Sequence, residues 1–154
     1  MIAPAHSDTT RFADLFDLPL PRDLRGDAES MTHDAFTDSY GAGSGPVRLG
    51  GWAGPASSVN GVGDYRATIA VGNRIATSTA TATGPIAALT AMLHERGITV
   101  EALRFHQLPT TGGATATFIR GTDGTDDAWA MGWARDPQQS ALRAMVACVN
   151  RLAA

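Results

Sequence analysis

The sequence predicts an α+β fold, a mainly antiparallel sheet with two helices on one face. Three observations carry this expectation. Residues 65–71 and 75–83 alternate with the period of a strand on either side of Gly72-Asn73, a hairpin signal. Two later segments change to helical spacing, each opened by a proline, Pro85 and Pro137. The order is strand, strand, helix, then three strands and a helix, which puts helices on one face of an antiparallel sheet.

In chain order, residues 1–60 read as an N-terminal arm and a Gly/Pro-rich linker. Pro19-Leu20-Pro21, the Gly41 to Pro46 stretch and Gly50-Gly51-Trp52-Ala53-Gly54-Pro55 interrupt any sustained period. Gly and Pro at this density oppose long helices and central strands alike. Phe12, Leu15 and Phe16, spaced i, i+3, i+4, and Met31 with Phe36 and Tyr40 are expected to form short helical turns. Such an arm packs on its own domain or docks on a partner.

Residues 61–154 read as one folded unit. Tyr65, Ala67, Ile69 and Val71 mark the apolar side of the first strand, and Ile75 to Thr83 alternates Thr and Ala in its antiparallel partner. Ile86, Leu89 and Leu93 then recur at helical spacing until Gly97 supplies a stop. Residues 100–108, 114–120 and 128–134 are the third to fifth strands, with the polar stretch 121–127 as a hairpin loop. The last helix has Asp136 as N-cap, Pro137 at its first position and Gln139 three residues after the cap. Leu142, Met145, Val146, Val149 and Leu152 form its apolar stripe, with Cys148 alongside. The small side chains of residues 75–83 and 114–117 leave room on a sheet face. A second copy, a small molecule or a closely packed helix would fill it.

Composition bounds the chemistry. At 154 residues and 16.0 kDa the chain supports one core and is too short for a (β/α)₈ barrel of roughly 250 residues. All 12 basic residues are Arg, so a Schiff-base lysine and a P-loop lysine are excluded. Eight of the 15 acids fall in the first forty residues beside three arginines, and the net charge is -3. Dispersed arginines under an acid excess lack the basic footprint of a nucleic-acid binder, so no nucleic-acid partner is expected. One cysteine cannot form an internal disulfide, and neither a signal peptide nor a membrane span of ~18 apolar residues is visible. A cytoplasmic location with no membrane partner is the expectation.

No enzyme motif emerges. His6, His33, His94 and His106 have no metal-ligand spacing among themselves or with Cys148, so neither metal nor cofactor is expected. Ser78 and Ser140 stand outside any nucleophile elbow, and Asp126-Asp127 is a pair by adjacency alone. Gly61-Val62-Gly63 lacks the third glycine of a dinucleotide site. The one feature with a defined physical use is Thr83-Gly84-Pro85-Ile86-Ala87-Ala88, a strand running through Gly into a helix N-terminus. Its exposed N–H groups and dipole suit a carboxylate. Alternatively, Gly-Pro only turns the chain.

From about Tyr65 to Leu152 the chain resembles the C-terminal regulatory domain of 2-isopropylmalate synthases, shared by citramalate synthases. The resemblance rests on Gly84 to Leu89, Gly97-Ile98-Thr99-Val100, Trp129-Ala130-Met131-Gly132-Trp133-Ala134, Ser140 to Val146 and Val149-Asn150-Arg151. Asp34-Ala35-Phe36 with Tyr40 is similar to the helical segment preceding that domain. The resemblance implies a homodimer formed by sheet packing that binds an end-product amino acid of branched-chain biosynthesis, leucine or isoleucine. It implies that Gly84, Ile86 and Ala87 hold the amino acid, and that Ala102, Phe105 and Thr115 form an apolar wall. The family pattern Gly-x-Gly-x-Gly-Pro is altered here, with Ala80 and Ala82 at the first two glycine positions. These 154 residues contain no catalytic barrel with metal-binding histidines, so synthase activity does not follow from the resemblance.

Three functions are open at this level. The first is a stand-alone regulatory domain that binds an amino acid, or a related 2-keto or 2-hydroxy acid, and acts on a separately encoded enzyme. The second is a small enzyme of a specialised pathway reusing the same cavity, with His106, Asp64, Arg104 or Arg120 as acid–base or anion-holding groups. The third is a dimerisation module with its cavity filled. Perturbed titratable groups in the pocket would favour the enzyme, and a lining of Ala, Thr and backbone N–H the sensor.

Overall fold

The computed structural model describes residues 10–41, 44–55 and 61–154. The fold is α+β. Among the described residues six strands form two three-stranded antiparallel sheets, β1 (Val47–Ala53), β2 (Gly63–Val71) and β3 (Arg74–Ala82) in one, β4 (Glu101–Pro109), β5 (Thr115–Thr122) and β6 (Asp127–Ala134) in the other. Among the described residues four α-helices accompany them: α1 (Arg25–Ser30), α2 (His33–Tyr40), α3 (Pro85–Glu95) and α4 (Pro137–Ala153).

The expected single sheet is therefore two, because no pairing joins β3 to β4 across α3. Each sheet is followed by a proline-led helix, so the chain from Val47 onward is a βββα unit repeated. The strand that completes the first unit, β1, lies within the stretch expected to be linker. It pairs with β2 in a register that slips between Leu49 and Trp52, where Gly50 and Gly51 form a bulge against Thr68. β1 is an edge strand, the position at which glycine does least harm to a sheet.

The Gly72-Asn73 hairpin forms as expected, with Gly72 at φ 61°, where a side chain would be strained. β2 and β3 pair without irregularity from Gly63↔Ala82 to Val71↔Arg74. In the second sheet β5 runs to Thr122, which shortens the expected loop to residues 123–126.

One core joins the inner faces of both sheets to both long helices. Tyr65, Ala67 and Ile69 of β2 meet Leu89, Met92 and Leu93 of α3 and Leu142, Met145 and Cys148 of α4. The small residues of β3 serve the closely packed helix: Ser78 is buried, and Ala80 and Ala82 pack against this core. The approach of α4 to β6 is closer still, since a Cβ on Gly132 would lie 3.0 Å from Ala144 Cα and nearer to the Ser140 carbonyl.

The arm packs on its own chain. Phe12, Phe16, Leu20, Leu24 and Phe36 cover Ala116, Phe118 and Met131 on the outer face of the second sheet. Phe12 and Phe36 stack at 3.9 Å between centroids, with Phe118 edge-on at 6.2 Å. The expected turns are a short 3-10 segment at Phe12–Leu15 and helix α2, whose N-cap Thr32 accepts the Ala35 N–H at 3.1 Å. Farther on, Asn150 fixes β1 by accepting the Val47 N–H and donating to its carbonyl, each at 2.9 Å.

Candidate functional site

The strand-to-helix junction opens into a groove. β3 ends at Ala82, Gly84 has an extended backbone (φ -176°), and α3 begins at Pro85 with no side chain capping it. Pro85 has no N–H, and the first helical backbone bond is from Ala88 N–H to the Gly84 carbonyl at 3.0 Å. The Ile86 and Ala87 amides thus remain as orphan donors at the positive end of the helix. A Cβ placed on Gly84 would meet nothing within 4 Å, so glycine leaves open space rather than resolving a clash.

Facing this junction are Phe105 and Gln107 of β4 and the first turn of α4, around a hollow of about 320 Å³. Phe105 is 45% exposed, so its ring offers apolar surface to the groove. Gln107 is held by its Nε2, which donates to Thr117 Oγ1 at 3.0 Å and to the Pro137 carbonyl at 2.8 Å. Among the described residues no acidic, basic, histidine or cysteine side chain lines the groove. Its chemistry is recognition by backbone N–H, carboxamide and apolar surface.

Four of the six expected site residues come together here: Gly84, Ile86, Ala87 and Phe105. Ala102 shares the Phe105 face of β4 but lies beyond a register shift, paired with Gly121 and away from the groove. Thr115 is half-buried on β5 between Pro109 and Ala134, and its carbonyl accepts the Ser140 hydroxyl at 2.8 Å. Gln107, Pro137 and Gln138 also line the groove, and neither the residue pattern nor the resemblance points to them. Gln107 was within reach, because i, i+2 alternation puts it on the Phe105 face of the strand. Ala80 and Ala82 line no part of the groove, so their methyls do not crowd it.

The groups considered for an enzyme are dispersed. His106 lies on the arm-side face of β4, with its ring 6.2 Å from that of Trp129. Asp64 accepts the Thr81 hydroxyl at 2.6 Å, Arg104 donates to the carbonyl of its neighbour Leu103, and Arg120 pairs with Asp127. His94 is on the exposed side of α3, and His6 lies outside the described residues. Ser140 is buried, its hydroxyl 2.7 Å from Thr117 Oγ1. Burial pushes the Cys148 thiol up to about 11, away from nucleophilic use. Among the described residues no group of three His, Cys, Asp or Glu could hold a metal, and no helix is long and apolar enough to cross a membrane.

Neither a scan against protein-family models nor a search of curated proteins returns a match for this chain. The groove is therefore interpreted on its own geometry.

That geometry includes an internal comparison. Asp136 precedes Pro137 as Gly84 precedes Pro85, and the Asp136 carboxylate accepts the Gln139 N–H at 2.9 Å. The second helix has a built-in carboxylate on its N-terminus. The first has glycine there and a groove beside it.

Proposed function

We propose that this chain is a regulatory domain that binds a small carboxylic acid, an amino acid or a related 2-keto or 2-hydroxy acid, at the opening of α3. The observation that carries the reading is the uncapped Ile86-Ala87 amide pair facing a groove without titratable side chains. A carboxylate there would satisfy both donors and meet the positive end of the helix dipole. The volume of about 320 Å³ suits a ligand of amino-acid size. Phe105 and Gln107 would supply the apolar and amide contacts.

The resemblance to the regulatory domain of isopropylmalate synthases supports the same reading, with leucine or isoleucine as first candidates. A homodimer would close the groove: β4 is exposed along both faces, including Leu103 and Phe105, and an open apolar edge is rarely left unpaired. Ligand binding would shift that interface and so act on an enzyme, by differential affinity for two arrangements. The single buried cysteine suits a cytoplasmic setting.

Calorimetric titration with leucine, isoleucine, valine and their 2-keto and 2-hydroxy acids tests the proposal. Saturable binding of at least one acid, lost on its amidation, is expected. No binding across the panel overturns it.

A further inference from the structure

A cavity larger than the α3 groove lies elsewhere. About 800 Å³ opens between the arm helix α2, the bulge of β1 and the β6-α4 junction. A second hollow of about 350 Å³ adjoins it, lined by Leu15, His33, Arg135 and the Gly112 turn. Trp133 and Arg143 line both, so the two cavities meet at these side chains.

The guanidinium of Arg143 is held in place there, since its Nη1 donates to the Trp133 carbonyl at 2.8 Å. The rest of its planar donor fork is available, a geometry suited to carboxylate. Neither the Arg11–Asp14 nor the Arg120–Asp127 ion pair draws on Arg143, Arg135 or Asp38 at this crevice. His33 contacts the Trp133 ring at 4.6 Å and adds a further nitrogen-bearing group to the Arg135 side. Asp38 lies on the arm wall of the larger cavity, whereas Arg143 belongs to α4. Apolar surface between them comes from Leu49, Met131, Val146 and the indole of Trp133.

We propose that this crevice is a second binding site, for an organic acid with a planar apolar body. Its acid group meets Arg143, and its body lies along Trp133. The cavity is more than twice the volume of the α3 groove, so it takes a bulkier ligand than an amino acid. Its walls come from the arm as well as the βββα units, so occupancy ties the arm to the body. The site is independent of the α3 groove and its ligand.

The test is titration of the full ¹⁵N-labelled chain with 1-naphthaleneacetate, following the three tryptophan indole resonances, with Trp133→Phe as the assignment control. A saturable shift of the Trp133 resonance is expected, weakened roughly tenfold or more by Arg143→Gln, as loss of a charge-assisted hydrogen bond requires. The neutral 1-naphthaleneacetamide should lose affinity by a similar factor on the unaltered chain, a comparison that needs no variant to fold. Asp38→Asn should leave the acid bound at least as well. An unmoved Trp133 resonance at the solubility limit of the probe overturns the proposal. So does equal affinity for acid and amide, or an Arg143→Gln variant that binds unimpaired.

Discussion

Gly84 and Asp136 stand at equivalent places in the two βββα units, each immediately before the proline that opens a helix, and only Asp136 supplies its helix with a carboxylate. The contrast makes the second unit an internal reference for the first. Asp136 caps α4 by a hydrogen bond from within the chain, the role that the proposed acid ligand would take at α3.

Gly84→Asp should build the same cap in the first unit. The new side chain meets no atom within 4 Å of its Cβ, so folding should be stabilised by a few tenths to about 1 kcal/mol. Acid binding at the groove should fall by more than about tenfold, because the amides and the dipole are already engaged. Urea unfolding and calorimetry on the one variant read both effects. Undiminished binding would place the carboxylate elsewhere.

Asn150 completes the hydrogen bonding of an edge strand from a helix. Replacing it with Ala strands the buried Val47 N–H and carbonyl, at an expected cost of about 3 kcal/mol. The Val47 amide should lose hydrogen-exchange protection ahead of β2. A cost under about 1 kcal/mol would mean that β1 is held by its pairing with β2 alone.

Two glycines should respond oppositely to alanine. At Gly132 the added methyl drives against the backbone of α4, so Gly132→Ala should destabilise by about 3 kcal/mol, at the upper end for overpacking. Gly26 lies in α1 with nothing within 4 Å of a Cβ, so Gly26→Ala should stabilise by about 0.5–1 kcal/mol. Denaturation midpoints with unchanged slopes would confirm both.

Alkaline stability follows from two raised acids. Burial pushes the Cys148 thiol from 9.0 up to about 11, and burial together with the hydrogen bond to Asp27 pushes the Tyr40 hydroxyl from 10.0 up to about 12. Both groups are neutral when protonated, and the folded state holds those protons more tightly than the unfolded state. Stability should therefore be complete below pH 9 and decline from pH 9 to 12, as the unfolded chain ionises first. Cys148→Ala should remove the lower part of the decline and Tyr40→Phe the upper part. A flat profile between pH 9 and 12 would contradict the burial of both.

Most of the fold after residue 61 was legible because local periods decide it. Alternation at Tyr65 to Val71 and the stripe from Leu142 to Leu152 each bury one face, and each forms as read. β1 escaped because the Gly50-Gly51 bulge breaks the alternation between Leu49 and Trp52, while glycine removes the side chains that would mark a strand. The division into two sheets was hidden for another reason. Whether β3 pairs with β4 is a long-range choice that neither strand encodes. At the site, residues on either side of one turn, Gly84 with Ile86 and Ala87, were found together. Pro137 and Gln138 join them only through the packing of α4, about fifty positions on, and Ala102 is carried away by a bulge that its sequence does not announce.

The aromatic arm also gives a duplicated architecture a front and a back. Phe118 and Met131 are already clothed by Phe12, Phe16 and Phe36, so a neighbour approaching β5 and β6 from that side meets the arm, while β4 stays open. The corresponding surface of the first sheet is bare, with Thr77, Thr79 and Thr81 exposed beside Ile75. A molecule that lies flat on this protein's strands finds them open there and along β4.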